Sequence, residues 1–251
     1  MRAFLILVTT FLLSSCADLF LASTGLRTFY KIEKQQVKYY QWNVVSQEFS
    51  ISKLTDANAQ KFKELSPHYG KDDLSVFYGS KKLTNADPNT FRLINAFIAM
   101  DSKNVYVDGK QLQNADPQTF KYHGSSWASD KNDYYFNGVK LSVCDINSFK
   151  VVEDDYPRRG YDNYCYFYQS YKVPLRDRDS LEILNGLYAR DKYNVYWADR
   201  VVNNAQPSKI MVQPNRSSPL ATDGKFCFSG TQIIGCADLN LNGQKFCGCD
   251  T

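Results

Sequence analysis

The sequence predicts an all-β fold. It reads as an array of about five to six β-hairpin repeats of 29 residues, with short helical-turn corners, forming a solenoid-like superhelix and ending in a small Cys-rich β segment. Three observations predict it. A seven-residue phrase is written twice, NADPNTF at 85–91 and NADPQTF at 114–120, 29 residues apart. Aspartates recur in phase with it, at Asp72, Asp101, Asp130, Asp162 and Asp191, with spacings of 29, 29, 32 and 29. Aromatic residues make up 15% of the chain, with 18 Tyr and 16 Phe, and these residues suit a pleated, half-buried surface.

The chain of 251 residues opens MRAFLILVTTFLLSSC. Arg2 precedes an apolar run of eleven, residues 3–13. That is the length of a signal-peptide core, whereas a membrane-spanning helix needs about 20 residues. Leu13-Ser14-Ser15-Cys16 resembles the lipobox of bacterial lipoproteins. The resemblance implies cleavage after residue 15 and acylation of Cys16, so 1–15 is read as the signal peptide and 16–36 as an anchor linker. A plain secretory signal and an uncleaved anchor are the competing readings. Ala17 after the cysteine is no inner-membrane retention signal, so the outer membrane is expected over the inner.

The repeats are expected over 37–211, in units starting near 43, 72, 101, 130, 162 and 191. Counting from each Asp, the fifth residue on is Phe77, Tyr106, Tyr135, Phe167 and Tyr196. The residue before it is Val76, Val105, Tyr134, Tyr166 and Val195. "NVYVDGKQL" reads as strand, two-residue turn, strand, because Asp108-Gly109 and Asn137-Gly138 supply the positive φ angles of a type I′ turn. A third short strand is expected before each Asp, as in "SSWASD". The phrase then makes a corner. Asp87 or Asp116 caps a short helical turn, Pro88 or Pro117 fits its first position, and Phe91 or Phe120 packs as an anchor. The unit near 43 looks half lost, with VKYYQWN at 37–43 as its aromatic strand on a longer hairpin. A unit of 29 residues cannot bury both faces alone, and stacked neighbours supply the missing cover. A propeller blade of four strands usually takes about 40 residues, so a closed propeller is disfavoured.

At DKNDYYFNG, residues 130–138, the repeat resembles that of the DKNYY family. DSKNVYVDG and DKYNVYWAD are weaker copies, and NADP-x-TF resembles the usual continuation. The resemblance covers about 37–211 and implies a bacterial, exported or lipid-anchored protein, with no activity to carry over. The unit at 162 departs most, with Arg176 and Arg178 where Ala and Pro are expected, so its corner is expected to be rebuilt.

Seven cysteines are present. With Cys16 assigned to lipid, six remain in an oxidising compartment, where disulfides are the expected state. Cys144 and Cys165 form one candidate pair. Cys227, Cys236, Cys247 and Cys249 crowd the segment 212–251, where two local disulfides would staple a short chain. A four-Cys zinc site lacks the usual C-x2-C knuckles, and no metal is expected. Residues 238–243, DLNLNG, match the start of a calcium loop, but position twelve is Cys249 where a bidentate Glu belongs. A hairpin turning at Asn242-Gly243 is preferred.

The net charge of +4 is mixed along the chain, which argues against a nucleic-acid partner. There is no P-loop, G-x-S-x-G or H-E-x-x-H motif. His68 and His123 are the two imidazoles, both read as surface residues. No catalytic residue and no cofactor is assigned. The expected function is a non-enzymatic, lipid-anchored envelope protein whose array is an interaction scaffold. Its expected partners are the membrane, through the N-terminal lipid, and other envelope proteins or glycan. The alternative is a glycan- or peptidoglycan-binding module using Phe77, Tyr106, Tyr135, Phe167 and Tyr196 as an exposed ladder. Buried core is the competing reading of that column.

Overall fold

The computed structural model describes residues 28–152, 158–213, 218–235, 240–241 and 244–245. Among them every regular element is a β-strand. The chain divides into two compact units, Met1–Gln111 and Leu112–Thr251. The first holds three antiparallel sheets. One is made of β1 (Thr28–Glu33), β2 (Gln36–Asn43) and β3 (Glu48–Leu54). The next is β4 (Lys63–Glu64), β5 (Tyr69–Lys71), β6 (Val76–Tyr78) and β7 (Lys81–Lys82). The third is β8 (Arg92–Leu93), β9 (Ile98–Met100), β10 (Val105–Val107) and β11 (Lys110–Gln111).

The second unit repeats the four-stranded pattern. Its first sheet is β12 (Lys121–Gly124), β13 (Trp127–Ser129), β14 (Tyr134–Phe136) and β15 (Val139–Lys140). The next is β16 (Lys150–Val151), β17 (Arg159–Tyr161), β18 (Tyr166–Tyr168) and β19 (Tyr171–Lys172). Then come β20 (Glu182–Ile183), β21 (Tyr188–Arg190), β22 (Val195–Trp197) and β23 (Arg200–Val201). The last is β24 (Met211–Val212), β25 (Leu220–Thr222), β26 (Cys227–Ser229) and β27 (Gln232–Ile234). A terminal hairpin, β28 (Asn240–Leu241) with β29 (Gln244–Lys245), follows. This is the hairpin preferred over a calcium loop.

The all-β repeat array is therefore as expected, with corrections to its parts. Each unit has four strands, not three. The outer strands are short enough, often two residues, for four to fit in 29, so the length argument against four strands fails. The array also runs past residue 211. Asp223 is a sixth copy of the Asp column, with Phe228 in the aromatic column and buried. The segment 16–36 is not all linker, because β1 begins at Thr28. Near 43 the expected aromatic strand on a longer hairpin is present, with β2 and β3 paired over seven residue pairs, and the corner that follows bonds to Asp72 through Asn58 N.

The column Asp72, Asp101, Asp130, Asp162, Asp191 and Asp223 is buried throughout. One carboxylate oxygen accepts the amides two and three residues on, as Asp101 Oδ1 does from Lys103 and Asn104, both at 2.7 Å. This is the Asx-type turn that joins the two central strands. The other oxygen reaches the preceding corner. Asp72 accepts from Asn58 N at 2.7 Å, Asp101 from Asp87 N at 3.1 Å and Asp130 from Asp116 N at 2.7 Å. Asp162, Asp191 and Asp223 accept from Asp145, Asp177 and Gln206 in the same way. The corner is held from within as expected: Asp87 accepts from Asn89 N and from the Thr90 hydroxyl. Thr90 Oγ1 in turn accepts from Ser102 N, beside Asp101. The Asp and Thr side chains of the phrase thus have partners, and Asn85 and Asn114 hold φ of 65° and 62°, a region that asparagine tolerates. The 162 unit keeps the same corner. Arg178 lies over the Tyr161 ring at 4.6 Å and Arg176 over Tyr193 at 4.7 Å, so the corner is decorated and not rebuilt.

A second tie closes the other end of the central strands. Gly79 N donates to His68 O at 2.7 Å, and equivalent bonds run Asp108 to Phe97, Asn137 to Ser126, Ala198 to Leu187 and Gly230 to Pro219. A tyrosine from the preceding sheet caps several of these ends. Tyr30 donates to His68 O and Gly79 O, and Tyr188 to Pro219 O and Gly230 O. Between the two ties lies a column of small residues, Gly70, Ala99, Ala128, Gly160, Ala189 and Ala221, which the sequence reading did not single out. A Cβ at Gly70 would lie 2.3 Å from Phe62 Cζ, and one at Gly160 2.4 Å from Phe149 Cζ. At these two sheets the anchor phenyl of the preceding corner therefore abuts the sheet end-on.

Cys144 and Cys165 form a disulfide with Cα atoms 6.0 Å apart, alongside the bond from Cys144 N to Asp162 at 2.8 Å. Cys227 is also disulfide-bonded. Cys16, Cys236, Cys247 and Cys249 lie outside the described residues.

Two outcomes follow from this packing. Gly70→Ala is expected to cost roughly 1–3 kcal/mol from overpacking, whereas Ala99→Gly removes one methyl and costs about 1 kcal/mol. Urea unfolding of both variants measures the costs, and a Gly70→Ala variant as stable as the wild type would contradict the end-on contact. Burial pushes the Asp101, Asp191 and Asp223 carboxyls up, but their amide and hydroxyl donors outweigh it and hold all three below the ordinary carboxylate range. Their stabilisation is thus present above about pH 4 and lost as pH falls through the lower folded values. Asp101→Asn is expected to cost about 1.5–3 kcal/mol at neutral pH and to flatten the acid limb of stability against pH.

Candidate functional site

The aromatic column expected as a candidate ladder is core. Phe77, Tyr106, Tyr135, Phe167 and Tyr196 are each at most 1% exposed. The physical reason is two-sided burial: Val76, Val105 and Val195 on the other face are buried too. The tyrosine hydroxyls are also engaged. Those of Tyr106, Tyr135 and Tyr196 donate to Asp101, Asp130 and Asp191 at 2.9, 2.9 and 2.7 Å. The column offers no ring to a glycan, and the binding platform built on it is withdrawn.

The first unit instead carries an open cleft of about 420 Å³. Tyr39 and Gln41 come from β2, and His68 from the loop before β5. Tyr78, Gly79, Ser80 and Lys81 come from the end of the β6–β7 hairpin, and Asp108 to Lys110 from the β10–β11 turn. The turn geometry is the expected one, with Asp108 at φ 49° and Gly109 at φ 70°. The Tyr78 hydroxyl donates to Asp108 Oδ1 at 3.2 Å, and the Tyr39 hydroxyl lies 3.4 Å from His68 Nδ1. Burial, then the Asp108 charge, pushes the Tyr78 phenol up to about 12.

His68 is half-buried rather than a free surface residue. Its ring stacks on Tyr78 at 5.7 Å and lies 5.2 Å from Phe97. Its Nε2 is buried with no hydrogen-bond partner among the described residues. Burial lowers its pKa, and Asp108 acts weakly against that. The signal was legible in register: the equivalent positions are Phe97, Ser126, Arg158, Leu187 and Pro219, so the imidazole is particular to this unit. His123, by contrast, is exposed, with Nε2 2.7 Å from Ser129 Oγ.

Chemically, the cleft presents hydroxyls, one carboxylate and the ammonium groups of Lys81 and Lys110. It presents no open ring face. Tyr78 is covered by His68 on one side and by the backbone of Gly109 on another, where an added Cβ would sit 2.4 Å from its ring. The arrangement suits a small polar ligand and not a stacked sugar. Cys144, Asp162 and Cys165 cluster within ligand distance of one another, but both sulfurs are in the disulfide.

Proton NMR of the two histidines tests the electrostatics. His68 is expected to titrate below 6.5, and Asp108→Asn is expected to lower it further. The same variant should leave His123 unmoved; a rise at His68 would contradict the assigned role of Asp108.

No curated protein and no solved structure matches the chain. The model of the DKNYY family matches residues 9–106, a span that ends on the buried tyrosine of β10. The columns of that span continue in phase to Asp223. The similarity to the DKNYY family thus covers residues 9–106, and the same columns recur through the rest of the array.

Proposed function

We propose that this protein is a lipid-anchored component of the bacterial cell envelope whose repeat array is a non-enzymatic scaffold for other envelope components. The observation that supports the reading most is the internal use of the repeating chemistry. The recurring carboxylates and the aromatic column are engaged within the fold, which leaves the hairpin ends to vary. Those ends read Gly79-Ser80, Asp108-Gly109, Asn137-Gly138, Gln169-Ser170, Ala198-Asp199 and Gly230-Thr231. A regular frame with varied ends is how repeat proteins present extended surfaces. The leader, with its apolar run and Leu13-Ser14-Ser15-Cys16, supports the lipid address, and Ala17 favours the outer membrane. A glycan partner is not favoured by the cleft, whose rings are covered.

Labelled palmitate is expected to enter the wild-type chain and not Cys16→Ser, and globomycin should make the precursor accumulate. Unchanged processing would sink the lipid anchor. Photo-crosslinkers at Asp108, Asn137 and Gln169 in intact envelopes should yield discrete adducts, and their absence at all three positions would sink the scaffold.

A further inference from the structure

The largest apolar exposure among the described residues is at one end of the first sheet. The β2–β3 turn carries Val44 at 79% and Val45 at 95% exposure. Behind them, the outward face of the sheet is layered. Trp42 pairs with Phe49 across the strands, with ring centroids 5.0 Å apart. The next row is Phe29, Tyr40 and Ile51, in which Phe29 and Tyr40 stack at 4.9 Å. The row after that is Lys31, Lys38 and Lys53. Strand geometry separates successive rows by about 7 Å. The opposite face is core, with Tyr30, Val37, Tyr39 and Leu54 buried.

We infer that the Val44–Val45 turn seats the first sheet in the surface of a lipid bilayer. Apolar tip, aromatic rows and lysine row follow the order of hydrocarbon, interface and phosphate. Trp and Tyr favour the interfacial level, and lysines near an anionic surface are attracted to it. Glu33 neutralises part of the row, at 2.8 Å from Lys31 and 2.7 Å from Lys38, and Lys53 makes no ion pair among the described residues. The chain's path permits the geometry. Eleven residues lie between Cys16 and Thr28, a reach of at most about 40 Å. A second copy of the chain adding to the β3 edge fits less well. It would cover tip, rings and lysines alike and bring like charges together, whereas the apolar character is graded along the strands. The inference rests on the lipid-anchor reading for its setting, and its test separates the two.

The mature protein is purified from membranes and reconstituted into vesicles of phosphatidylethanolamine and phosphatidylglycerol brominated near the top of the acyl chains. Its intact mass reports whether Cys16 is acylated. Trp42 emission, obtained by difference from Trp42→Phe, is expected to be quenched in brominated vesicles and not in plain ones. Val44→Asp with Val45→Asp should abolish that quenching while near-ultraviolet dichroism stays native, since both side chains are exposed. An acylated protein with unquenched Trp42 would overturn the inference, as would quenching unchanged in the double variant. A variant that instead dissolves a dimer would assign the tip to a second copy. An unacylated mass with quenched Trp42 would remove the anchor and leave the seated turn standing.

Discussion

A buried carboxylate that accepts from both directions along the chain sets the geometry of every repeat. One oxygen closes the tight turn of its own hairpin, and the other holds the corner that came before it. A carboxylate buried without partners would be very costly, so these donors are part of what lets the Asp sit there at all. Once it sits there, the separation between corner and hairpin is fixed to hydrogen-bond precision. The aromatic column then has no freedom of placement. Where it is tyrosine, the hydroxyl joins the same carboxylate; Asp162, beside Phe167, takes amides from Cys144 and Asp145.

The carboxylate joints explain which parts of the fold were legible in sequence. Asp, Pro, Asn-Gly and the aromatic positions carry backbone or burial demands that few residues meet, so they recur visibly. The first outer strand of each sheet was not legible, because a pair such as Arg92-Leu93 or Glu182-Ile183 carries no period. The small column escaped notice because Gly and Ala are unremarkable in isolation, and only the facing phenyl shows why nothing larger stands there. The sixth repeat was hidden for another reason. Asp223-Gly224-Lys225 lacks the paired tyrosines, and the nearby cysteines suggested a separate segment.

The site was less legible than the fold. His68 occupies a column that is apolar or small in most other units, a departure visible only once the register is known. The aromatic column is core because it is enclosed on both faces. In the first sheet, alternation in β2 puts Lys38, Tyr40 and Trp42 on the outward face and Val37 and Tyr39 inside.

The spacing of the repeats divides into two halves with different freedom. From each Asp to the next corner is fifteen residues in every unit, as from Asp72 to Asp87 or Asp162 to Asp177. From corner to the next Asp it is fourteen in most units but seventeen from Asp145 to Asp162 and from Gln206 to Asp223. Extra length is thus admitted on the return half alone. For an engineer, that half is where an epitope or a reporter belongs, since the array already accommodates additions there with all its carboxylate joints intact.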